Sequence, residues 1–215
     1  WKAAYEAGLF TEFMEQRAPG HTCMDGKIYR KGMLDFKREI EEEIAKLDYC
    51  NDPEALDKED QLHAMAISCD AIIRLAERHA EKAEEMARHE KDPARVEELN
   101  RIAEVCRRVP AHAPRNFWEA IQMYWFIHLG VITELNGWDA FNPGHFDQHL
   151  VPFYQNDLEN GTLTREEAKE LLCCFWIKVN NQPAPPKVGI TANESGTYND
   201  FTNINIGGVK PDGSD

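Results

Sequence analysis

The sequence predicts an α/β fold that is mostly helical. Most of the chain places apolar residues at intervals of three and four, with charged residues between them, as amphipathic helices do. Residues 201–208 (Phe-Thr-Asn-Ile-Asn-Ile-Gly-Gly) instead alternate polar and apolar residues and end in a glycine pair, which predicts a β-strand. At 215 residues the chain is long enough for one or two domains with a substantial core.

Four helices are predicted in the first half of the chain. Helical spacing of apolar residues predicts a short helix over residues 1–16, a second over 33–47 and a long charged one over about 58–90. Asp92 is the expected N-cap of the fourth helix, because Pro93 suits the first helical position, and this helix runs to Arg108. The charged faces of these helices predict a solvated outer layer.

Two helices and an extended connector are predicted in the second half. The stretch 116–135 is far more apolar, so we expect it to be buried on most sides, with His128 as a hydrogen-bonded core residue. Thr164 and Glu167 form a capping box that opens a helix to about residue 179. Three prolines between residues 183 and 186 predict the extended connector that leads to the strand.

Composition argues against several classes of partner. The formal net charge is −14, with 24 Lys+Arg against 38 Asp+Glu, so nucleic acid and anionic membrane surfaces are not expected partners. No apolar run approaches the roughly 20 residues of a membrane span, and no signal-peptide pattern opens the chain, so we expect a soluble, cytoplasmic protein. Because the sequence starts and stops within patterned segments, we also expect it to be part of a longer chain.

Cysteine usage favours reduced thiols. The six cysteines form no CxxC pair, so neither a zinc site nor a disulfide framework is expected. Cys173 and Cys174 are adjacent, and such a pair could relay a radical or a thiolate. They lie within a predicted amphipathic helix beside Leu171, Leu172 and Phe175, so we expect them to be buried and structural.

His145 and His149 have the HxxxH spacing that places two imidazoles on one helical face. Metalloproteases that use this spacing need a Glu directly after the first histidine as general base, and Phe146 stands there. No third ligand is apparent. We therefore expect these histidines to cap and pack a helix, and we expect no metal site.

Two polar segments are candidates for a substrate site. The loop 17–25 brings Arg17, His21 and Asp25 together after a helix break, where Arg can bind an anionic oxygen and His and Asp can bind a hydroxyl or exchange protons. An ordinary helix-terminating loop is the alternative. The segment 138–149 (Trp-Asp-Ala-Phe-Asn-Pro-Gly-His-Phe-Asp-Gln-His) mixes polar, aromatic and turn-forming residues directly after the apolar helix, as a pocket wall does.

Three stretches resemble the glycyl radical enzymes, the pyruvate formate-lyase-like superfamily. They are residues 8–22 (Gly-Leu-Phe-Thr-Glu-Phe-Met-Glu-Gln-Arg-Ala-Pro-Gly-His-Thr), 108–122 (Arg-Val-Pro-Ala-His-Ala-Pro-Arg-Asn-Phe-Trp-Glu-Ala-Ile-Gln) and 143–154 (Pro-Gly-His-Phe-Asp-Gln-His-Leu-Val-Pro-Phe-Tyr). The resemblance covers essentially the whole chain in the expected order. It is closest to the dehydratase and lyase branch of the superfamily.

The resemblance implies a ten-stranded barrel of two five-stranded parallel half-sheets wrapped by helices. It also implies a thiyl-forming Cys, a Glu two residues later and a radical-bearing Gly, with the radical installed by an activating enzyme that uses S-adenosylmethionine and an iron–sulfur cluster. The sequence contains no Gly-Cys-x-Glu loop and no glycyl loop. We therefore expect residues 1–215 to be the N-terminal or middle portion of a single domain, to contain no catalytic residue and to be inactive alone. The full-length enzyme is expected to be a homodimer.

The resemblance also implies which residues contact substrate. His21 and Asp25 match a loop pair that reaches substrate hydroxyl or ammonium groups, and Arg17 could meet an anionic substrate. The turn 144–148 is expected to be structural. The remaining candidates form the pocket wall before that turn and the start of a barrel strand, and they are Trp138, Asp139, Phe141, Asn142 and Phe201.

The substrate stays open at this point. The candidate residues would suit carbon–sulfur cleavage of a hydroxyalkane sulfonate, as in isethionate sulfite-lyase, dehydration of a polyol, or decarboxylation of an arylacetate. A formate acetyltransferase-type reaction is less expected, because the paired-cysteine loop is missing. The non-enzymatic alternative is a helical interaction module, in which Trp125 and Trp176 would both be buried.

Overall fold

The computed structural model describes residues 2–7, 24–135, 144–180, 204–210 and 212–214. Within these residues the chain forms seven α-helices and one short 3-10 helix (Asp25–Tyr29). The α-helices are α1 (Lys2–Glu6), α2 (Met33–Ile44), α3 (Ala55–His89), α4 (Pro93–Arg108), α5 (Phe117–Leu135), α6 (Phe146–Glu159) and α7 (Arg165–Asn180). The chain divides into two compact units, residues 26–126 and residues 1–25 with 127–215.

Local sequence signals determine where several helices begin. Asp92 caps α4, because its Oδ1 accepts a hydrogen bond from the N–H of Ala94 at 3.1 Å and Pro93 occupies the first helical position. Thr164 and Glu167 form the capping box of α7: Thr164 Oγ1 accepts from the Glu167 N–H at 3.2 Å, and Glu167 Oε2 accepts from the Thr164 N–H at 2.7 Å. Both predicted caps are confirmed.

Small side chains form the core of the unit 26–126. Ala76, Ala80 and Ala83 of α3 lie against Ala103 and Cys106 of α4, and Phe126 of α5 completes the cluster. Alanines leave room for two helix backbones to approach closely, and the large aromatic ring fills the remaining volume. This packing explains why the long helix α3 can carry a charged outer face and still be anchored along its second half.

The predicted helices are confirmed over the described residues, and His128 is fully buried as expected. The predicted strand is described only from residue 204 onward. There it forms a single parallel bridge, between Asn205 and His145. The fold is thus mostly helical, and no barrel is visible in the part of the chain that the structure describes. No helix among these residues is long and apolar enough to span a membrane.

The prediction that Cys173 and Cys174 are buried is wrong, since both thiols are exposed on α7. This helix buries Ala168 and Phe175 and half-buries Leu171 and Leu172, and a turn of about 100° per residue carries both cysteines off that stripe. Trp176 on the same helix is also 48% exposed. This exposure contradicts the expectation for a helical interaction module.

Candidate functional site

The start of α6 is where distant segments of the chain meet. Gly144 is buried with φ +74°, a left-handed conformation that glycine adopts without strain, and His145 is the N-cap of the helix. Phe146, the first helical residue, is buried and its ring stacks on that of Phe175 with centroids 4.9 Å apart. These contacts fix the direction in which the first turn of α6 presents its polar side chains.

Asp147 and Gln148 bind the segment that contains the predicted strand. Asp147 Oδ2 accepts a hydrogen bond from the backbone N–H of Gly207 at 2.7 Å. Gln148 Nε2 donates to the carbonyl oxygen of Gly207 at 3.4 Å, a longer and weaker contact. The Asp147 bond is the stronger of the two, because its acceptor is a charged carboxylate and its donor–acceptor distance is shorter. These two bonds support the structural role that the family resemblance implies for the turn 144–148.

His149 reaches in another direction, to Asp25. Its Nε2 lies 2.8 Å from Oδ1 of Asp25, and the two residues are 124 positions apart in the sequence. The carboxylate is an acceptor, so the imidazole N–H donates. The His149 side chain is 21% exposed and that of Asp25 is 66% exposed, so the bond lies at a surface or cleft and joins a half-buried donor to an accessible carboxylate.

Asp25 occupies an unfavourable backbone conformation. Met24 and Asp25 have φ of +57° and +50°, the left-handed region that side chains other than glycine rarely adopt. Each such residue costs about 1–3 kcal/mol and persists only where its surroundings hold it, and residues of this kind cluster at functional sites. The bond from His149 is one interaction that holds this turn, and the 3-10 helix Asp25–Tyr29, with Ile28 and Tyr29 buried, is another.

Of the predicted substrate residues, the structure describes Asp25 alone. The others lie outside the described residues, and they are Arg17, His21, Trp138, Asp139, Phe141, Asn142 and Phe201. Sequence reasoning missed His149 as a partner of Asp25, because a hydrogen bond across 124 residues leaves no local pattern. In the sequence, His149 stands out only as the second histidine of an HxxxH spacing, which is a pattern of metal sites. Among the described residues, no group of three or more His, Cys, Asp or Glu side chains could hold a metal ion.

Comparison with known proteins assigns the chain to a family. The family model described as pyruvate formate lyase-like matches residues 1–215. The chain belongs to this family. Trans-4-hydroxy-L-proline dehydratase of Clostridioides difficile is 61% identical over 215 residues, covering all of this chain and 27% of that protein. The crystal structure of hydroxyproline dehydratase from the same organism, with trans-4-hydroxy-L-proline bound, matches 99% of the chain with a TM-score of 0.88.

Two more distant relatives widen the comparison. Isethionate sulfite-lyase of Oleidesulfovibrio alaskensis is 37% identical over 195 residues, which cover 88% of this chain and 23% of that protein. A glycyl radical enzyme from Archaeoglobus fulgidus is 30% identical with a TM-score of 0.84, covering 99% of this chain and 27% of that one. The resemblance to glycyl radical enzymes of the dehydratase and lyase branch is confirmed. The chain spans about a quarter of the length of these relatives.

Proposed function

We propose that this chain is a portion of a glycyl radical dehydratase whose substrate is trans-4-hydroxy-L-proline or a close analogue. The observation that carries the proposal is the 61% identity to the hydroxyproline dehydratase across all 215 residues. Identity to isethionate sulfite-lyase is 37% over a shorter stretch. A TM-score of 0.88 to the substrate-bound dehydratase supports the same assignment.

In such an enzyme a glycyl radical, installed by an activating enzyme with S-adenosylmethionine and an iron–sulfur cluster, generates the thiyl radical that abstracts a hydrogen atom from substrate. The thiyl cysteine, its neighbouring Glu and the radical glycine are proposed to lie outside residues 1–215. Residues 1–215 would form the N-terminal or middle portion of one domain built around the ten-stranded barrel. The whole enzyme is proposed to be a cytoplasmic homodimer with no nucleic-acid or membrane partner.

The proposed role of the present chain is to bind and orient the substrate. An amino acid with a hydroxyl group offers an ammonium, a carboxylate and the hydroxyl that leaves. The Asp25 carboxylate suits the ammonium or hydroxyl, because 66% of its side chain is accessible and it is already held by His149. Arg17 suits the substrate carboxylate, and His21 suits the hydroxyl. Aromatic and polar residues are proposed to line the rest of the pocket, namely Trp138, Asp139, Phe141, Asn142 and Phe201.

Carbon–sulfur cleavage of isethionate is the second candidate reaction. The 37% identity to isethionate sulfite-lyase over 88% of the chain favours it over decarboxylation or pyruvate cleavage. An enzyme of this kind needs to bind a sulfonate, and Arg17 could supply the cation. Both proposed reactions would therefore use Arg17 to bind an anionic substrate. They differ in the leaving group, which is water in the dehydration and sulfite in the carbon–sulfur cleavage.

The test uses the full-length parent enzyme, activated anaerobically until its glycyl radical is visible by electron paramagnetic resonance. We expect trans-4-hydroxy-L-proline to give a product whose mass is that of the substrate less one water. L-Proline, which has no hydroxyl to lose, is the matched control and should give no product. Release of sulfite from isethionate would instead favour the second candidate. An enzyme with normal radical content that leaves hydroxyproline unchanged would contradict the proposal.

A further inference from the structure

We propose that His149 is a positioning residue of the substrate site, acting through Asp25. The inference rests on the proposed function and deepens it. It gives a role to His149, which is neither one of the loop candidates nor one of the pocket-wall candidates. Its starting point is the hydrogen bond between His149 Nε2 and Asp25 Oδ1, at 2.8 Å.

The two partners differ in how firmly they are held. His149 lies on α6, and its backbone N–H donates to the His145 carbonyl at 2.9 Å within the first helical turn. The same turn is anchored by Asp147 on Gly207 and by Phe146 on Phe175. Asp25 is the first residue of a 3-10 helix of only five residues, Asp25–Tyr29, and has φ of +50°. Helix α6 is therefore the fixed element, and the imidazole sets the position of the carboxylate.

The bond also limits what the Asp25 carboxylate can do. Oδ1 receives the imidazole N–H, while Oδ2 makes no hydrogen bond to any residue that the structure describes. Within the part of the chain that the structure describes, Asp25 thus has one oxygen bonded to the protein and a second oxygen that could accept from a substrate. A carboxylate held in this way binds an ammonium or hydroxyl group with less loss of side-chain freedom than a carboxylate that can rotate.

Asp25 is the last residue of the predicted substrate loop 17–25. Asp25 follows the candidate residues Arg17 and His21 by eight and four positions. The bond from His149 therefore fixes the end of the predicted substrate loop to the start of α6. On this inference the loss of the imidazole weakens substrate binding more than it slows the chemical step.

The experiment measures kcat and KM in the activated full-length enzyme for His149→Leu, His149→Phe and His149→Gln. Leucine and phenylalanine remove the N–H donor, and we expect KM to rise about tenfold with kcat within about threefold, as the loss of one hydrogen bond to a charged group predicts. Glutamine keeps an N–H at similar reach, so it should restore most of the lost binding. His145→Gln is the matched control on the same helix, where the exposed histidine makes no side-chain capping bond, and it should leave both constants unchanged.

A double-mutant cycle with Asp25→Ala separates positioning from general destabilisation. If His149 acts through Asp25, His149→Leu should add little to the KM of Asp25→Ala. Fully additive effects, or a His149→Leu enzyme with unchanged KM, would overturn the inference. If the His149→Leu enzyme does not fold, His149→Phe takes its place in the cycle.

The cycle is run on whichever substrate the wild-type enzyme converts. Failure of wild type on hydroxyproline therefore counts against the proposed function alone. If wild type converts neither candidate substrate, amide exchange of residues 26–30 replaces KM. We expect His149→Leu to accelerate that exchange and Asp25→Ala to abolish the difference, and exchange that is unchanged in His149→Leu would overturn the inference.

Discussion

The side chain of Asp147 accepts a hydrogen bond from the backbone N–H of Gly207 at 2.7 Å, although the two residues are 60 positions apart. Two positions later on the same helical turn, His149 contacts Asp25. One turn of α6 therefore ties together two distant segments, the candidate substrate loop on one side and the glycine pair on the other. This role explains three of the polar residues in 144–149, because the side chains of Asp147, Gln148 and His149 each bind a partner that is remote in sequence.

Replacing Asp147 should loosen the segment around Gly207. Asp147→Ala removes the acceptor, and we expect the Gly207 amide to exchange with deuterium at least about tenfold faster, which corresponds to a lost bond of about 1.5 kcal/mol. Asp147→Asn keeps a neutral acceptor and should give a smaller increase. Glu166→Ala removes an exposed acid from the first turn of α7 and is the control. Unchanged exchange at Gly207 in Asp147→Ala would contradict the prediction.

Gly32 is predicted to tolerate no side chain. It precedes α2, whose first N–H groups donate to the carbonyls of Pro110 and Ala111 at 2.8 and 3.0 Å. A Cβ at Gly32 would overlap the Ala111 carbonyl oxygen and the His112 backbone, and neither is the end of a flexible side chain. Gly32→Ala should therefore lower the free energy of unfolding by about 3 kcal/mol, as measured by chemical denaturation.

The control for this variant separates a steric clash from backbone strain. Gly161 has φ +68°, and a Cβ there would meet nothing within 4 Å. Gly161→Ala should cost only about 1 kcal/mol, the penalty for a left-handed alanine. If both variants lower the free energy of unfolding by the same amount, the close contact of Gly32 with the Ala111 and His112 backbone does not explain the effect.

Local signals in the sequence predicted the helices well. The cap at Asp92 and the capping box at Thr164 each depend on residues within three positions, and helical spacing within one segment identified α1, α2, α3 and α5. The length of α6 was not predicted, since only its start was expected from His145 and His149. The bond between His149 and Asp25 could not be predicted, because its partners are brought together only by the complete fold. Cys174 illustrates a different limit: its apolar neighbours suggested burial, but the angle around the helix decides which side chains are covered.

Arg115 is predicted to stabilise a buried carboxylate. Glu119 is only 1% exposed, and it accepts hydrogen bonds from Nη2 of Arg115 at 2.6 Å and from the Arg115 backbone N–H at 2.7 Å. The carboxylate in turn raises the pKa of the Arg115 guanidinium through their side-chain hydrogen bond. Arg115→Ala leaves the Glu119 carboxylate without its cation, so we expect the free energy of unfolding to fall by about 2 kcal/mol. A fully buried ion pair would lose more, but the Arg115 guanidinium is half exposed.

An exposed ion pair with the same shortest N–O distance provides the comparison for Arg115. Arg95 Nη1 lies 2.6 Å from Glu98 Oε2, and both side chains are accessible. Arg95→Ala should change the free energy of unfolding by no more than about 0.5 kcal/mol. Glu119→Gln with Arg115→Met should recover part of the loss, since the buried group is then neutral. A cost for Arg115→Ala no larger than that for Arg95→Ala would contradict the assigned role.

The reactivity of the cysteines towards an alkylating reagent should follow how exposed each thiol is. Cys106 is buried in the core, and desolvation raises the pKa of its thiol from 9.0 to about 11. Cys173 and Cys174 are exposed on α7. Because the thiolate is the reactive form, iodoacetamide at pH 8 should alkylate Cys173 and Cys174 and leave Cys106 unmodified until the chain is unfolded, as read by peptide mass spectrometry.

The raised pKa of Cys106 also predicts how stability depends on pH. The unfolded chain ionises this thiol near its ordinary pKa of 9.0, whereas the folded chain keeps it neutral to about pH 11. The contribution of Cys106 is therefore fully present below pH 9 and decreases as the pH rises through that interval. Unfolding curves at pH 8, 9.5 and 11 should show a steeper decline for the wild type than for Cys106→Ala, which has no thiol to ionise. Parallel declines would mean that Cys106 is accessible to water in the folded protein.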